Sequence, residues 1–244
     1  MTARITFATA RRVLWQLRND PRTVALLLVV PVFLLVLLRY VFDARVEVFQ
    51  HIGAPMCGLY PFILMFLVTS IAMLRERTSG TLERLMSLPL GKADLLGGYG
   101  LAFGLVAIVQ ASVVCIVGFV FLGLHAPHGA WVVALLAIGN ALLGTSLGLL
   151  VSAFARTEFQ AVQFMPAFVF PQLLLCGLFV RREDMAALLD WVSWAFPLTY
   201  AFDALQRATS AGALGGAVAR DVGVVVAATV ASLGLGALTL RRRT

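Results

Sequence analysis

The sequence predicts an all-α protein that crosses a membrane six times, and three observations carry that prediction. The chain is 61% hydrophobic and only 13% charged, with a mean hydropathy of +0.94, so it has too few charges to cover a water-facing surface. Its charged residues fall in short runs between long apolar stretches. The densest run holds Arg75, Glu76, Arg77, Glu83, Arg84, Lys92 and Asp94 and cannot lie in hydrocarbon. Finally, Leu95–Ala155 contains no Asp, Glu, Lys or Arg over 61 residues. As one helix it would be roughly 90 Å long, about three bilayer cores, so it must fold back on itself.

Residues 5–19 mix Phe7, Val13, Leu14 and Leu17 with Arg4, Arg11, Arg12 and Arg18, and add Trp15. That pattern predicts a helix lying in the headgroup layer. Asn19-Asp20-Pro21 supplies a corner with Pro at the first helical position. Span one follows over 23–42, weakened near Pro31, and Asp43–Ala54 reads as a short polar loop. Span two is expected over 55–74. Beyond it, Gly80 can serve as an N-cap with Glu83 at N3, and Leu82, Leu85 and Met86 then share one face until Pro89–Gly91 ends the turn. This predicts a short amphipathic helix beside the membrane; the plainer reading is a solvated connector.

Spans three and four are expected over 95–123 and 131–153, joined through His125-Ala-Pro-His-Gly129. Gly100/Gly104 and Gly144/Gly148 have a spacing that permits close helix contact, although such spacing arises by chance in a Gly-rich chain. Span five, 159–180, contains Pro166 and Pro171 and should be broken or kinked. Between 181 and 221 the longest uncharged run, Trp191–Phe202, has 12 residues and is too short to cross. With Trp191, Trp194 and Tyr200 it reads as interfacial or re-entrant. Span six, 222–240, precedes Arg241-Arg-Arg243. The whole of 1–244 makes one membrane domain.

Of the 19 Lys and Arg, 13 lie at the two termini and in the loops 75–94 and 154–160, against six on the opposite side. The positive-inside rule then places both termini in the cytoplasm of a cell-membrane protein. The net charge of +7 forms no nucleic-acid recognition stripe. Cys57, Cys115 and Cys176 lie in apolar stretches without paired spacing, which gives no disulfide or metal framework. His125 and His128 share HxxH spacing, but two ligands in a short loop do not fix a metal, and loop filling is the simpler role. Gly91-Lys92-Ala93 lacks the Ser/Thr of a phosphate-binding loop, and no metalloprotease motif is present. Gln110, Asn140, Gln163 and Gln172 are neutral polar groups within spans, suited either to line a path or to bond between helices.

The stretch RERTSGTLERLMSLPLGKADLLGGY resembles the signature of ABC-2 type permeases, in which Glu-Arg-x-x-Gly-Thr-Leu-Glu precedes a Pro and the third span. The later block CGLFVRREDMAALLDWVSWAFPLTYAFDALQ is similar too, above all at Pro197-Leu-Thr-Tyr200 and Asp203-Ala-Leu205. The nearest subgroup is the drug-resistance and nodulation lipo-oligosaccharide exporters. Thr78 and Ser79 stand where many members have one residue, and Phe196 stands where Asn is common. The resemblance implies a permease that moves a hydrophobic or amphipathic compound outward. ATP and Mg would be bound by a separate ATPase subunit, and a second permease copy or homologue would complete the transporter. It further implies that Glu76, Arg77, Gly80, Thr81, Leu82, Glu83, Arg84, Leu85, Met86 and Pro89 form a coupling helix on that ATPase. Arg11, Arg12, Trp15 and Arg18 would belong to an interfacial connecting helix, and Trp191, Trp194, Pro197, Tyr200 and Asp203 to an outer re-entrant element. Two rival classes remain: an ion-coupled carrier, which would want an ionisable group near the midplane, and a membrane-embedded enzyme, which would want converging Asp, His or Ser groups.

Overall fold

In the computed structural model, described for residues 3–81, 91–210, 212 and 214–239, the described residues form helices and no strands. Helix α1 spans Ala3–Arg18, and α2 spans Pro21–Val41. Asp20 caps α2 by accepting from the Thr23 amide at 3.3 Å and its hydroxyl at 2.6 Å, with Pro21 at the first turn as its fixed φ prefers.

Helix α3 runs Val46–Thr78 without interruption. This corrects the expected polar loop over Asp43–Ala54: only 42–45 is non-helical, and α3 starts nine residues before Pro55. The reason is that Val46–Ala54 carries helical rather than hydropathic information. Phe49, Gly53 and Ala54 are buried on one face while Glu47 and His51 are exposed. At 33 residues α3 is about 50 Å long, well beyond the hydrocarbon core, and its last turn carries Arg75 and Arg77. Gly80, at φ +73°, closes α3 in the left-handed conformation that Gly tolerates. Thr81 is again helical, as an N-cap at Gly80 requires.

Helix α4, Lys92–Ile116, continues into a π-helical turn at Val117–Phe121, and α5 spans Ala130–Val151. The two match the expected spans three and four to within a few residues. Between them, His128 Nε2 donates to the Gly212 carbonyl at 2.7 Å, so this histidine ties two loops together. Helix α6, Glu158–Phe164, passes through a π turn at Met165–Val169 into α7, Phe170–Leu175. Pro166 and Pro171 each lack an amide donor, and the regular ladder breaks there as expected. A 3₁₀ turn at Arg182–Asp184 is followed by α8, Ala187–Ser193, α9, Pro197–Thr209, and α10, Gly216–Thr239. Among the described residues, five helical stretches are long and apolar enough to cross a membrane: 21–41, 46–78, 94–121, 130–151 and 216–239.

The core forms where α3 crosses α5, the most extensive helix contact among the described residues. Gly144 and Gly148 of α5 make that crossing possible. A Cβ on Gly148 would lie 2.5 Å from the Phe66 carbonyl oxygen, and one on Gly144 would fall closer still to that of Phe62. The small-residue pair therefore meets α3, one helix away from its sequence neighbour α4. Helices α2 and α10 lie on the outside, with Leu26, Val29, Phe33 and Leu37 of α2 exposed.

Candidate functional site

Two polar clusters stand at opposite ends of the helix bundle. The first is built on the end of α3. Arg12 reaches from α1 to place Nη2 3.3 Å from Glu76 Oε2 and 2.5 Å from the Tyr99 hydroxyl, so one guanidinium joins α1, α3 and α4. Close packing sets this geometry: Gly98 of α4 leaves room for Thr9 of α1, whose Cβ a side chain at 98 would meet at 2.5 Å. Immediately before Glu76, Arg75 forks onto Glu158 at 2.7 and 3.0 Å, which ties α3 to the start of α6. The Arg75 hydrogen bond holds the Glu158 carboxyl below its usual range, against the opposing effect of burial. Arg77 is half-buried, and its Nε and Nη2 have no hydrogen-bond partner among the described residues.

Among the residues expected to couple to an ATPase, Glu76, Arg77, Gly80 and Thr81 therefore lie at this end of α3, where Thr81 Oγ1 is 2.9 Å from Ser79 Oγ. Leu82, Glu83, Arg84, Leu85, Met86 and Pro89 lie outside the described residues. On α1, Arg11, Trp15 and Arg18 face outward, while Thr9, Ala10 and Val13 pack inward. Arg12 alone of the four connecting-helix residues turns into the cluster.

The second cluster joins α8, α9 and α10. Arg182 Nη2 donates to Asp203 Oδ2 at 2.5 Å and stacks 4.3 Å from the Trp194 ring, while Arg220 stands 5.5 Å from the same ring. Arg220 also donates to Asp221 Oδ1 at 3.0 and 2.8 Å, and Arg207 approaches Oδ2 at 3.6 Å, too long for a good hydrogen bond. Asp221 is fully buried, so these two cations are what compensate its charge. Tyr200 packs edge-on to Trp194 and donates to its carbonyl at 2.9 Å. Burial raises the Asp203 carboxyl above its usual range, against the pull of Arg182. The structure thus gathers Trp194, Tyr200 and Asp203, puts Pro197 at the first turn of α9, and leaves Trp191 outside, 75% exposed.

The four neutral polar residues of the spans do not converge. Gln110 donates to the Leu27 carbonyl of α2 at 2.7 Å, Asn140 faces Gly58 of α3, Gln172 bonds back to Phe168 of its own segment, and Gln163 is exposed. No group of three His, Cys, Asp or Glu suited to a metal occurs among the described residues.

Sequence reasoning did not single out Tyr99, Arg182, Arg207, Arg220 or Asp221. A usable signal existed only for Asp221: it is an acidic residue at the mouth of an uncharged 19-residue run, where it invites a basic partner.

A family model described as ABC-2 type transporter matches residues 4–209. The probable multidrug ABC transporter permease YbhS of Escherichia coli is 28% identical over 211 residues, 84% of this chain and 55% of that protein. The probable multidrug ABC transporter permease YbhR of Escherichia coli is 30% identical over 146 residues, 59% of this chain and 39% of that protein. ABC transporter G family member 20 of Dictyostelium discoideum is 25% identical over 151 residues, 62% of this chain and 21% of that protein. The chain spans just over half, or less, of the length of these relatives.

Proposed function

The chain belongs to the ABC-2 type transporter family, and from that premise we propose that it is the permease subunit of an ATP-driven exporter for hydrophobic or amphipathic compounds. The observation that carries this reading is the family match over residues 4–209. The multidrug names of two relatives suggest the substrate class. ATP and Mg would be held by a separate ATPase subunit, and a second permease copy or homologue would complete the pathway.

In this reading the α3 end is the cytoplasmic input. The segment from Gly80 to Pro89 docks on the ATPase, with Leu82, Leu85 and Met86 in its groove and Glu83 and Arg84 at the rim. Motion there acts directly on α3, and Arg12 carries it to α1 because the same guanidinium holds Glu76 and Tyr99. Arg75 carries it to α6 through Glu158. The helical part of the expected span five, 159–175, serves as the fifth of six spans; at 17 residues it is about 26 Å long, enough for a thin or locally deformed bilayer. Helix α1 lies in the inner interface, both termini are cytoplasmic, and α8–α9 form the outer re-entrant pair, fastened to α10 by the second cluster.

Co-purification tests the docking. Leu82→Asp would bury an unpaired charge in the groove and should lose most of the ATPase from a pull-down. Glu83→Lys, which opposes the helix dipole by roughly 0.3–1 kcal/mol, should lose less. Full pull-down and full export by Leu82→Asp would reduce 80–88 to a connector.

A further inference from the structure

We propose that the crevice enclosed by α1, α2, α3 and α4 binds one single-tailed cationic amphiphile, with its head at Asp20 and its tail along α3. A cavity of about 660 Å³ lies there, within the range of roughly 300–1,000 Å³ typical of small-molecule sites. Its apolar wall is Leu26, Val30, Leu64, Leu67 and Val68, and its polar end is Asp20, Arg75, Glu76, Ser79 and Tyr99. From Leu64 to Ser79 the lining follows α3 for about 22 Å at 1.5 Å per residue. Leu64 and Val30 stand near the middles of α3 and α2, whereas Asp20 and Ser79 stand at their ends. The crevice therefore runs from headgroup level to about mid-bilayer, the shape of one extended chain in one leaflet. That leaflet is the cytoplasmic one on the orientation proposed above.

Charge selects the head group. Glu76 is bound by Arg12, and Arg75 is bound by Glu158 through two hydrogen bonds. Asp20 accepts from Thr23 and feels the attraction of Arg75, and no basic side chain stands within 4.0 Å of it among the described residues. Arg18 and Arg22 flank it in sequence but are exposed and do not line the crevice. Among the described residues the polar end thus presents one carboxylate whose attracting cation, Arg75, is already committed to Glu158, beside a long apolar wall, which fits an ammonium head on a hydrocarbon tail and opposes a phosphate head.

The test uses the purified chain in lipid nanodiscs and a dodecyl-trimethylammonium probe carrying a photoreactive group at the tail end. A matched probe has a neutral sugar head. Labelling is expected on 64–72 of α3 and 26–30 of α2. Asp20→Asn keeps the cap, because Asn caps as well as Asp. It should weaken the cationic probe about three- to fivefold, as expected of a partly solvated ion pair, and leave the neutral probe unchanged. Ala72→Trp fills the crevice and should abolish labelling by both probes; if that variant does not fold, Val68→Phe is read in its place. Labelling confined to other segments would overturn the proposal, as would equal effects of Asp20→Asn on both probes or undiminished labelling in the filled variant. The proposal adds a substrate class to the export reading, yet its assay needs no ATPase. Binding with no ATP-driven export would refute the export reading alone, and export without crevice binding would refute this one alone.

Discussion

Replacing Gly148 by Ala should drive α3 and α5 apart. The new Cβ would lie 2.5 Å from the Phe66 carbonyl oxygen, whereas ordinary contact begins near 3.4 Å, so the helices must separate locally by about 0.9 Å. The obstacle is backbone on both sides, and no side-chain rotamer can relieve it. Overpacking of this kind costs about 1–3 kcal/mol. Opposing it, Ala gains about 0.5–1 kcal/mol over Gly in a helix interior. The informative quantity is therefore the difference from Gly139→Ala on the same helix, where an added Cβ meets nothing within 4 Å and only the propensity gain applies. That difference should be about 1–3 kcal/mol, with Gly139→Ala at or above wild type. Unfolding of the purified protein in detergent micelles titrated with SDS, followed by circular dichroism, measures it. Gly148→Ala and Gly144→Ala should not add when combined, because one separation relieves both overlaps. If Gly148→Ala proves as stable as Gly139→Ala, the close crossing of α3 and α5 is refuted.

Three further expectations concern the polar clusters and the orientation. Glu76→Gln removes the charged partner of Arg12 and should lower ATP-driven export more than it lowers ATPase co-purification; equal loss of both would mean that the cluster only holds the docking segment. The Glu158 carboxyl is depressed by Arg75, so its contribution is present above the ordinary glutamate range and is lost as pH falls through its lowered value. Both side chains are more than half exposed, so the effect should be under about 1 kcal/mol, and Glu158→Gln should lower stability at pH 7 by that amount while flattening the profile below pH 4.5. On a Cys-free background, Ser79→Cys should resist an impermeant thiol reagent in intact cells while Ala126→Cys reacts; the reverse pattern would invert the proposed orientation.

What the sequence made legible follows from which forces act locally. Spans three and four could be placed because 61 uncharged residues leave few alternatives, and Pro166 and Pro171 marked the broken helix for the same covalent reason that breaks it. The start of α3 was misjudged because hydropathy marks where lipid begins, while a helix ends where its hydrogen bonds end. Phe49 and Ala54 form a buried face outside the apolar run, so α3 starts at Val46. The Gly144/Gly148 spacing declared a close contact but not its partner, since pairing with α3 rather than α4 is decided by the whole bundle. Arg12 and Glu76 were each singled out for separate reasons, and nothing local indicated that they meet across 64 positions. Tyr99 gave no signal at all, being one aromatic residue in an apolar helix.

The central claim is that this chain moves its cargo only when an ATPase subunit acts on it from outside the membrane. The most direct measurement is uptake of a fluorescent amphiphile into sealed liposomes containing the purified permease, with and without the ATPase subunit and ATP, and with proton or sodium gradients imposed separately. The account predicts transport only with both the subunit and hydrolysable ATP, and none from a gradient alone. Gradient-driven transport by the permease by itself would contradict it and establish an ion-coupled carrier.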